Sequence, residues 1–247
     1  MSNYGFGGDE VKQESSWRYP LGIFLATLVL CAVFLYYYVG PSVDEIGGNV
    51  PSPAISEERI GLEVGGSIFQ IPANYTVYPR DRRGGLRKQV SIYMLWPTLS
   101  GYSPSRRNDF VENSADTRRI DVTIKERTSA FSEAERVENL FLPQTIDRRG
   151  VRTPYGLIRY DFTQRRENVP TNGYADSNLF IAKADDDKVI ALFCFKEAED
   201  LESLDCWREY ELSPSVTVTY RFKKAYVEEW RAIDAGVRQF VVDLTAK

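Results

Sequence analysis

The chain has 247 residues, no histidine and three cysteines, with 31 Lys plus Arg against 35 Asp plus Glu and a net charge of −4. Beyond residue 18 the balance is 29 basic against 32 acidic residues, which excludes a general nucleic-acid binder because that function needs a basic excess. Without histidine no Ser-His-Asp or Cys-His nucleophile system can be assembled, and two cysteines in the soluble part cannot close a zinc site.

Phosphate loops of either standard Gly-rich spacing are missing as well. Paired carboxylates of the glycosidase type remain chemically open, yet Asp and Glu are scattered without a pattern that marks such a pair. The expectation is therefore a protein that is not an enzyme, with no metal and no cofactor.

The first element is a membrane span. From Pro20 to Gly40 no side chain is charged, and Leu21 to Val39 is almost unbroken apolar sequence, long enough for the roughly 30 Å hydrocarbon core of a bilayer. A secretory signal has a shorter apolar region and a small-residue cleavage site, whereas here Tyr36, Tyr37 and Tyr38 close the run and Pro41 follows Gly40. Those tyrosines, with Trp17 and Tyr19 at the other end, read as interfacial aromatic belts. A buried core helix would need partners all round, and no second such helix exists in the sequence. Lys12 and Arg18 precede the span while Asp44 and Glu45 follow it, so the positive-inside bias leaves residues 1–19 in the cytoplasm and sends the C-terminal part outside. In a bacterium that is an inner-membrane anchor, residues 20–40, carrying a periplasmic domain.

Residues 41–58 are rich in Pro, Gly and Ser and read as an extended linker; the folded domain is expected over 59–247, large enough for one good core. Ile60, Leu62 and Val64 alternate, Gly65 and Gly66 turn the chain, and Ser67 to Ile71 returns, which predicts a hairpin. Val90, Ile92, Met94 and Trp96 predict a further strand, as do Ile120, Val122 and Ile124. Pro97 to Thr117 has little periodicity and reads as a partner-binding or partly ordered loop.

Ser132 with Glu135 forms a capping box, Val137, Leu140 and Phe141 give the helix an apolar face, and Pro143 ends it. Strands follow at Ile158 to Phe162, at Leu179 and Ile181, at Val189 to Phe195 after the turn through Asp185, Asp186 and Asp187, and at Val216 to Phe222. The triple aspartate lacks calcium-loop spacing and reads as a polar turn. Tyr226 to Leu244 has apolar residues at three- and four-residue intervals and predicts a closing helix. The class is α+β: one transmembrane helix, then a mostly antiparallel sheet with an internal and a C-terminal helix packed on one face.

Cys31 lies in the span. Cys194 and Cys206 can form a disulfide in an oxidising compartment, the alternative being two buried thiols.

Charge is uneven. Arg80 to Arg127 holds eleven basic residues against six acidic, and Asp185 to Leu212 ten acidic against three basic, which predicts a positive and a negative side. The sharpest element is RDRRGGLRK, in which Arg80, Arg82, Arg83, Arg87 and Lys88 surround Gly84 and Gly85. Successive glycine N–H groups can form an anion nest and arginine forks suit phosphate or carboxylate; a solvated basic loop is the alternative. Doubled arginines recur at Arg106–Arg107, Arg118–Arg119, Arg148–Arg149 and Arg165–Arg166.

The segment SIFQIPANYTVYPRDRRGG followed by VSIYMLWPTLSGYS resembles one in uncharacterised single-pass inner-membrane proteins of proteobacteria, where an IPAN strand leads to RRGG, then WP and GYS. The resemblance spans Ile68 to Ser103. It implies a bacterial envelope location and carries no activity or catalytic residue. Two functions follow from the sequence as a whole: an accessory protein docking on a larger inner-membrane or envelope complex through a protein partner, or a ligand-binding module for an anionic envelope molecule at Arg80 to Lys88.

Overall fold

The computed structural model describes residues 17–38, 40–163, 174–183, 188–197 and 203–246. Lys12, the pair Arg165–Arg166 and the triple Asp185–Asp187 lie outside the described residues. The chain divides into two units, Met1–Gly47 and Gly48–Lys247.

In the first unit, α1 (Arg18–Tyr38) is a 21-residue helix with no buried residue, long and apolar enough to cross a membrane. Trp17 and Tyr19 stand at one end and Tyr36, Tyr37 and Tyr38 at the other, all largely exposed. The expected linker is not extended throughout: it contains a short helix, α2 (Val43–Gly47). Ser42 and Glu45 cause it by a reciprocal capping box, with the Ser42 N–H donating to Glu45 at 2.9 Å and the Glu45 N–H to the Ser42 hydroxyl at 3.2 Å.

In the second unit the chain enters along the folded body, and the Ser52 N–H donates to the Val77 carbonyl at 3.0 Å. Strands β1 (Arg59–Val64) and β2 (Ser67–Pro72) form the expected hairpin, joined by Gly65 and Gly66 at φ 54° and 78°, a region that favours glycine. With the short β3 (Gly85–Leu86), parallel to β1, they make a small mixed sheet. The main sheet is antiparallel and eight-stranded. It uses β4 (Gln89–Leu95), β5 (Arg119–Glu126), β6 (Val151–Arg152), β7 (Ile158–Asp161), β8 (Ser177–Lys183), β9 (Val189–Phe195), β10 (Asp205–Ser213) and β11 (Val216–Lys223), in the order β4-β5-β11-β10-β9-β8-β7-β6.

The helices pack on both faces of this sheet, not on one. Helix α5 (Trp230–Leu244) and the β1–β2 hairpin cover the first face, burying Trp230, Ile233, Val237 and Val241 with Ile92, Val122, Tyr220 and Leu192. Helix α4 (Glu133–Arg136), continued by a π-turn over Val137–Phe141, covers the second face at the β7–β9 end with Phe141, Phe162, Leu179 and Phe193. The cause lies in β8 and β9, which are apolar at consecutive positions: Leu192 and Cys194 point one way, Ala191 and Phe193 the other. Such strands need cover on each side.

The stretch from Pro97 to Thr117 is ordered. It contains α3 (Arg107–Val111), and its Tyr102 and Phe110 close over Tyr93 and Leu95 in a separate small core. The residues of the resembling segment serve this packing. Tyr102 and Asn74 join by a backbone hydrogen bond of 2.9 Å, and the Tyr75 hydroxyl donates to the Leu99 carbonyl at 3.0 Å.

Candidate functional site

Two features of the second unit carry unusual chemistry, and both depend on β10, a strand whose pattern reads poorly in sequence. Its first-face residues are Cys206, Arg208 and Tyr210, all buried. Arg208 therefore stands in a cross-strand row running Ile92, Val122, Tyr220, Arg208, Leu192, Phe180. One inward arginine breaks the apolar alternation that otherwise marks a strand.

The guanidinium is 3% exposed and is met by two carboxylates, Glu133 at 6% and Asp234 at 4%. Arg208 donates from Nε to Glu133 Oε1 at 2.9 Å and from a terminal nitrogen to Oε2 at 2.7 Å, a bidentate pair, and its other terminal nitrogen donates to Asp234. The Tyr220 hydroxyl donates to the same Asp234 oxygen at 2.8 Å. Burial works against the Arg208 charge; the hydrogen bonds and charge of Glu133, with Asp234 beside it, outweigh burial and hold the guanidinium pKa above its ordinary value.

Glu133 also mends the sheet. Strands β9 and β10 pair only through Cys206, Trp207 and Arg208 with Cys194, Phe193 and Leu192. Beyond that the first turn of α4 fills the seam. Glu133 Oε1 accepts the Ala191 N–H at 2.8 Å, the Glu133 N–H donates to Glu211 at 3.0 Å, and Arg136 donates to the Glu209 carbonyl at 3.0 Å and to the Glu211 carboxylate. The Ala191 N–H, in a buried residue, would otherwise lack a partner, a costly state. The capping box at Ser132 and Glu135 starts the helix where the seam needs it.

The second feature is a trough on the second face of the sheet. One cross-strand row runs Tyr93, Asp121, Arg221, Trp207, Phe193. Its ends are covered, Tyr93 by Tyr102 and Phe110 and Phe193 by Phe141, while Asp121 and Trp207 are part-exposed and Arg221 exposed. Arg221 lies over the Trp207 ring at 6.0 Å and 3.6 Å from Asp205. The next rows add Ser91, Thr123, Thr219 and Glu209, with Lys125 donating to Glu209 at 2.7 Å. Two concavities of about 330 and 260 Å³ open here and share Thr219 and Arg221. The trough is polar along its floor and aromatic at both walls.

The structure accounts differently for the Arg80–Lys88 loop. Asp81 is fully buried at its centre, with Arg80 and Arg87 each at 3.7 Å. Arg80 also donates to Asn49 at 2.9 Å, Arg82 to the Thr76 hydroxyl at 2.8 Å and to the Ser52 carbonyl, and Arg87 to the Arg80 carbonyl at 2.7 Å. Burial raises the Asp81 pKa, with the neighbouring arginines opposing it. Gly84 and Gly85 have φ of 68° and 81°, and an added Cβ at Gly84 would stand 3.0 Å from the Gly61 carbonyl. Arg83 and Lys88 are exposed.

The acidic run does not form a separate side among the described residues. Asp205 receives Lys223 at 2.8 Å, Glu209 receives Lys125, and Glu211 receives Arg136. Cys194 and Cys206 are bonded and face each other across β9 and β10. Among the described residues no group of three or more His, Cys, Asp or Glu side chains could hold a metal.

Fold and site together define an α+β domain with an antiparallel sheet, a charged seam and an open polar trough, preceded by an apolar helix. No protein-family model and no curated protein matches the chain. Among solved structures its fold is similar to that of Smlt3025, an immunity protein of the Stenotrophomonas maltophilia type IV secretion system. The TM-score is 0.53 at 15% identity, over 78% of this chain and 95% of that one.

Proposed function

We propose that this protein is a single-pass envelope protein, held in the inner membrane by α1, whose periplasmic domain works by binding another protein through the trough. The observation that carries this reading is the row Asp121, Arg221, Trp207, left open between two covered lobes. Tryptophan and arginine dominate the energetics of protein interfaces, and part-exposed neighbours of both signs give register and orientation. The disulfide fits an oxidising compartment. The length of α1 and its aromatic ends favour an anchor over a cleaved signal.

The likeness to an immunity protein points to the kind of partner: a protein toxin that must be held inactive, in place of a structural subunit of a larger complex. No catalytic step belongs to this reading. It also moves the contact surface away from Arg80–Lys88, because Arg80 and Arg82 are engaged by Asn49 and Thr76 of neighbouring segments and Arg87 by the Arg80 carbonyl.

The test is co-purification of tagged full-length protein from its native membrane in mild detergent. Trp207→Ala combined with Arg221→Glu is expected to release a partner that the parent retains, while Arg83→Glu combined with Lys88→Glu keeps it. Loss of the partner from the loop variant alone would reject the trough.

A further inference from the structure

The basic loop that the trough leaves unused stands where the chain enters the second unit. Gly48 is buried there, its carbonyl accepts the Arg80 N–H at 3.2 Å, and the Asn49 side chain accepts from the Arg80 guanidinium at 2.9 Å. Slightly further on, the Ser52 carbonyl accepts from Arg82. Residues 39–47, nine in all, separate Gly48 from the end of α1 at Tyr38. Even fully extended, nine residues reach only roughly 30 Å, and five of them are coiled in α2. Whatever the orientation of the domain, this loop is leashed close to the surface from which the anchor emerges.

The loop is positive toward the outside. Arg80 to Lys88 holds five cations and a single carboxylate, Asp81, and Asp81 is fully buried. The hydrogen bonds of Arg80, Arg82 and Arg87 run to neutral acceptors, the Asn49 amide, the Thr76 hydroxyl and the Arg80 carbonyl. They fix three side chains in place without cancelling their charge. At the tip, Gly84 and Gly85 lead into β3, the edge strand of the small sheet. Leu86 in β3 is 66% exposed, with Arg83 before it and Lys88 after it, both exposed. Glu63, its neighbour in the β1–β3 register, is the adjoining carboxylate. An exposed leucine between cations suits the boundary of a bilayer, where the apolar chain enters the acyl region and the cations meet phosphates.

We propose that this loop docks on the membrane in which the protein is anchored, with Leu86 set into the interface and the cations against anionic phospholipid head groups. The inference rests on the reading of α1 as an anchor and is independent of the trough. Its consequence is orientation. A second attachment beside the α1 leash restricts how the domain turns above the bilayer, so the trough meets its partner from a limited range of directions.

The experiment is hydrogen exchange of the full-length protein in vesicles of phosphatidylcholine alone and of phosphatidylcholine mixed with phosphatidylglycerol, read by mass spectrometry over residues 83–88. Exchange there is expected to slow about fivefold or more in the anionic vesicles, the effect of one basic residue near an anionic surface, and to recover at high salt. Arg83→Gln combined with Lys88→Gln is expected to remove the slowing and Leu86→Ser to reduce it, while Glu63→Gln increases it. Arg148→Gln combined with Arg149→Gln, an exposed basic pair elsewhere, leaves it intact. Each replaced side chain is exposed, so the fold is kept. Protein that an alkaline wash releases from the vesicles overturns the anchor and this proposal with it. Protein that stays but exchanges equally in both vesicle types, or slows equally in the Arg83 and Lys88 double variant, overturns this proposal alone. Slowing over 83–88 that appears only when a protein partner is added assigns the loop to that protein and likewise overturns it.

Discussion

Replacing Arg208 by methionine isolates the energetics of the seam. The substitution keeps an unbranched chain of similar length in an apolar row and removes three hydrogen bonds and one charge. It leaves Glu133 and Asp234, 6% and 4% exposed, without their common counter-ion. Breaking a buried ion pair in this way costs about 3–5 kcal/mol, because an uncompensated charge stays behind, and total stabilities are only about 5–15 kcal/mol. With a urea slope near 3 kcal/mol/M, the upper end for small domains, the midpoint falls by about 1 to 1.7 M. Urea unfolding of the full-length protein in detergent, followed by tryptophan fluorescence, reads this directly. Adding Glu133→Gln and Asp234→Asn to Arg208→Met removes the stranded charges and is expected to recover part of the loss. An Arg208→Met protein within about 0.5 kcal/mol of the parent, the usual range for surface substitutions, would refute the account of the seam.

Further outcomes follow from other parts of the fold. Replacing Cys194 and Cys206 together by alanine opens a link between residues twelve apart and is expected to cost about 3 kcal/mol by the chain-entropy estimate, measured in the same urea assay. Asp81→Ala leaves Arg80 and Arg87 without the carboxylate between them; amide exchange should quicken over residues 80–88 more than elsewhere. Burial pushes the Tyr93 pKa up to about 12, from an ordinary 10.0. A raised folded-state pKa contributes stability that is complete below pH 10 and is lost as pH climbs toward 12. Alkaline unfolding scans should therefore show stability falling through that window, and Tyr93→Phe should flatten the fall.

The parts legible in the sequence are those where one rule acts alone. Alternation located the β1–β2 hairpin, β4, β5 and β11, and Ser132 with Glu135 marked the start of α4. The apolar run of α1 was equally plain, whereas Cys194 and Cys206 left two readings open, a disulfide or two buried thiols, of which the structure has the disulfide.

The rest needed information from distant residues. Strand β10 hides because its inward position holds Arg208, whose partners lie 75 and 26 residues away. Asp234 sits on the apolar stripe of α5, between Trp230 and Val237, and was the one local sign of a buried charge. Glu133, directly after an N-cap, looks like an ordinary first-turn acid until the unpaired Ala191 N–H comes beside it. The order of Pro97–Thr117 comes from Tyr102 and Phe110, two aromatic side chains without periodicity. The basic loop read as a ligand nest for a similar reason: Asp81, its buried centre, is indistinguishable in sequence from a surface acid.

The most direct measurement of the central claim is photo-crosslinking in living cells, with a photoreactive amino acid placed at Thr123, part-exposed in the trough beside the Asp121–Arg221–Trp207 row, or at Ala232 on the exposed side of α5. The account predicts one discrete protein adduct from position 123 and none from position 232. Adducts from position 232 alone, or the absence of any adduct at 123 while the native partner is expressed, would contradict it.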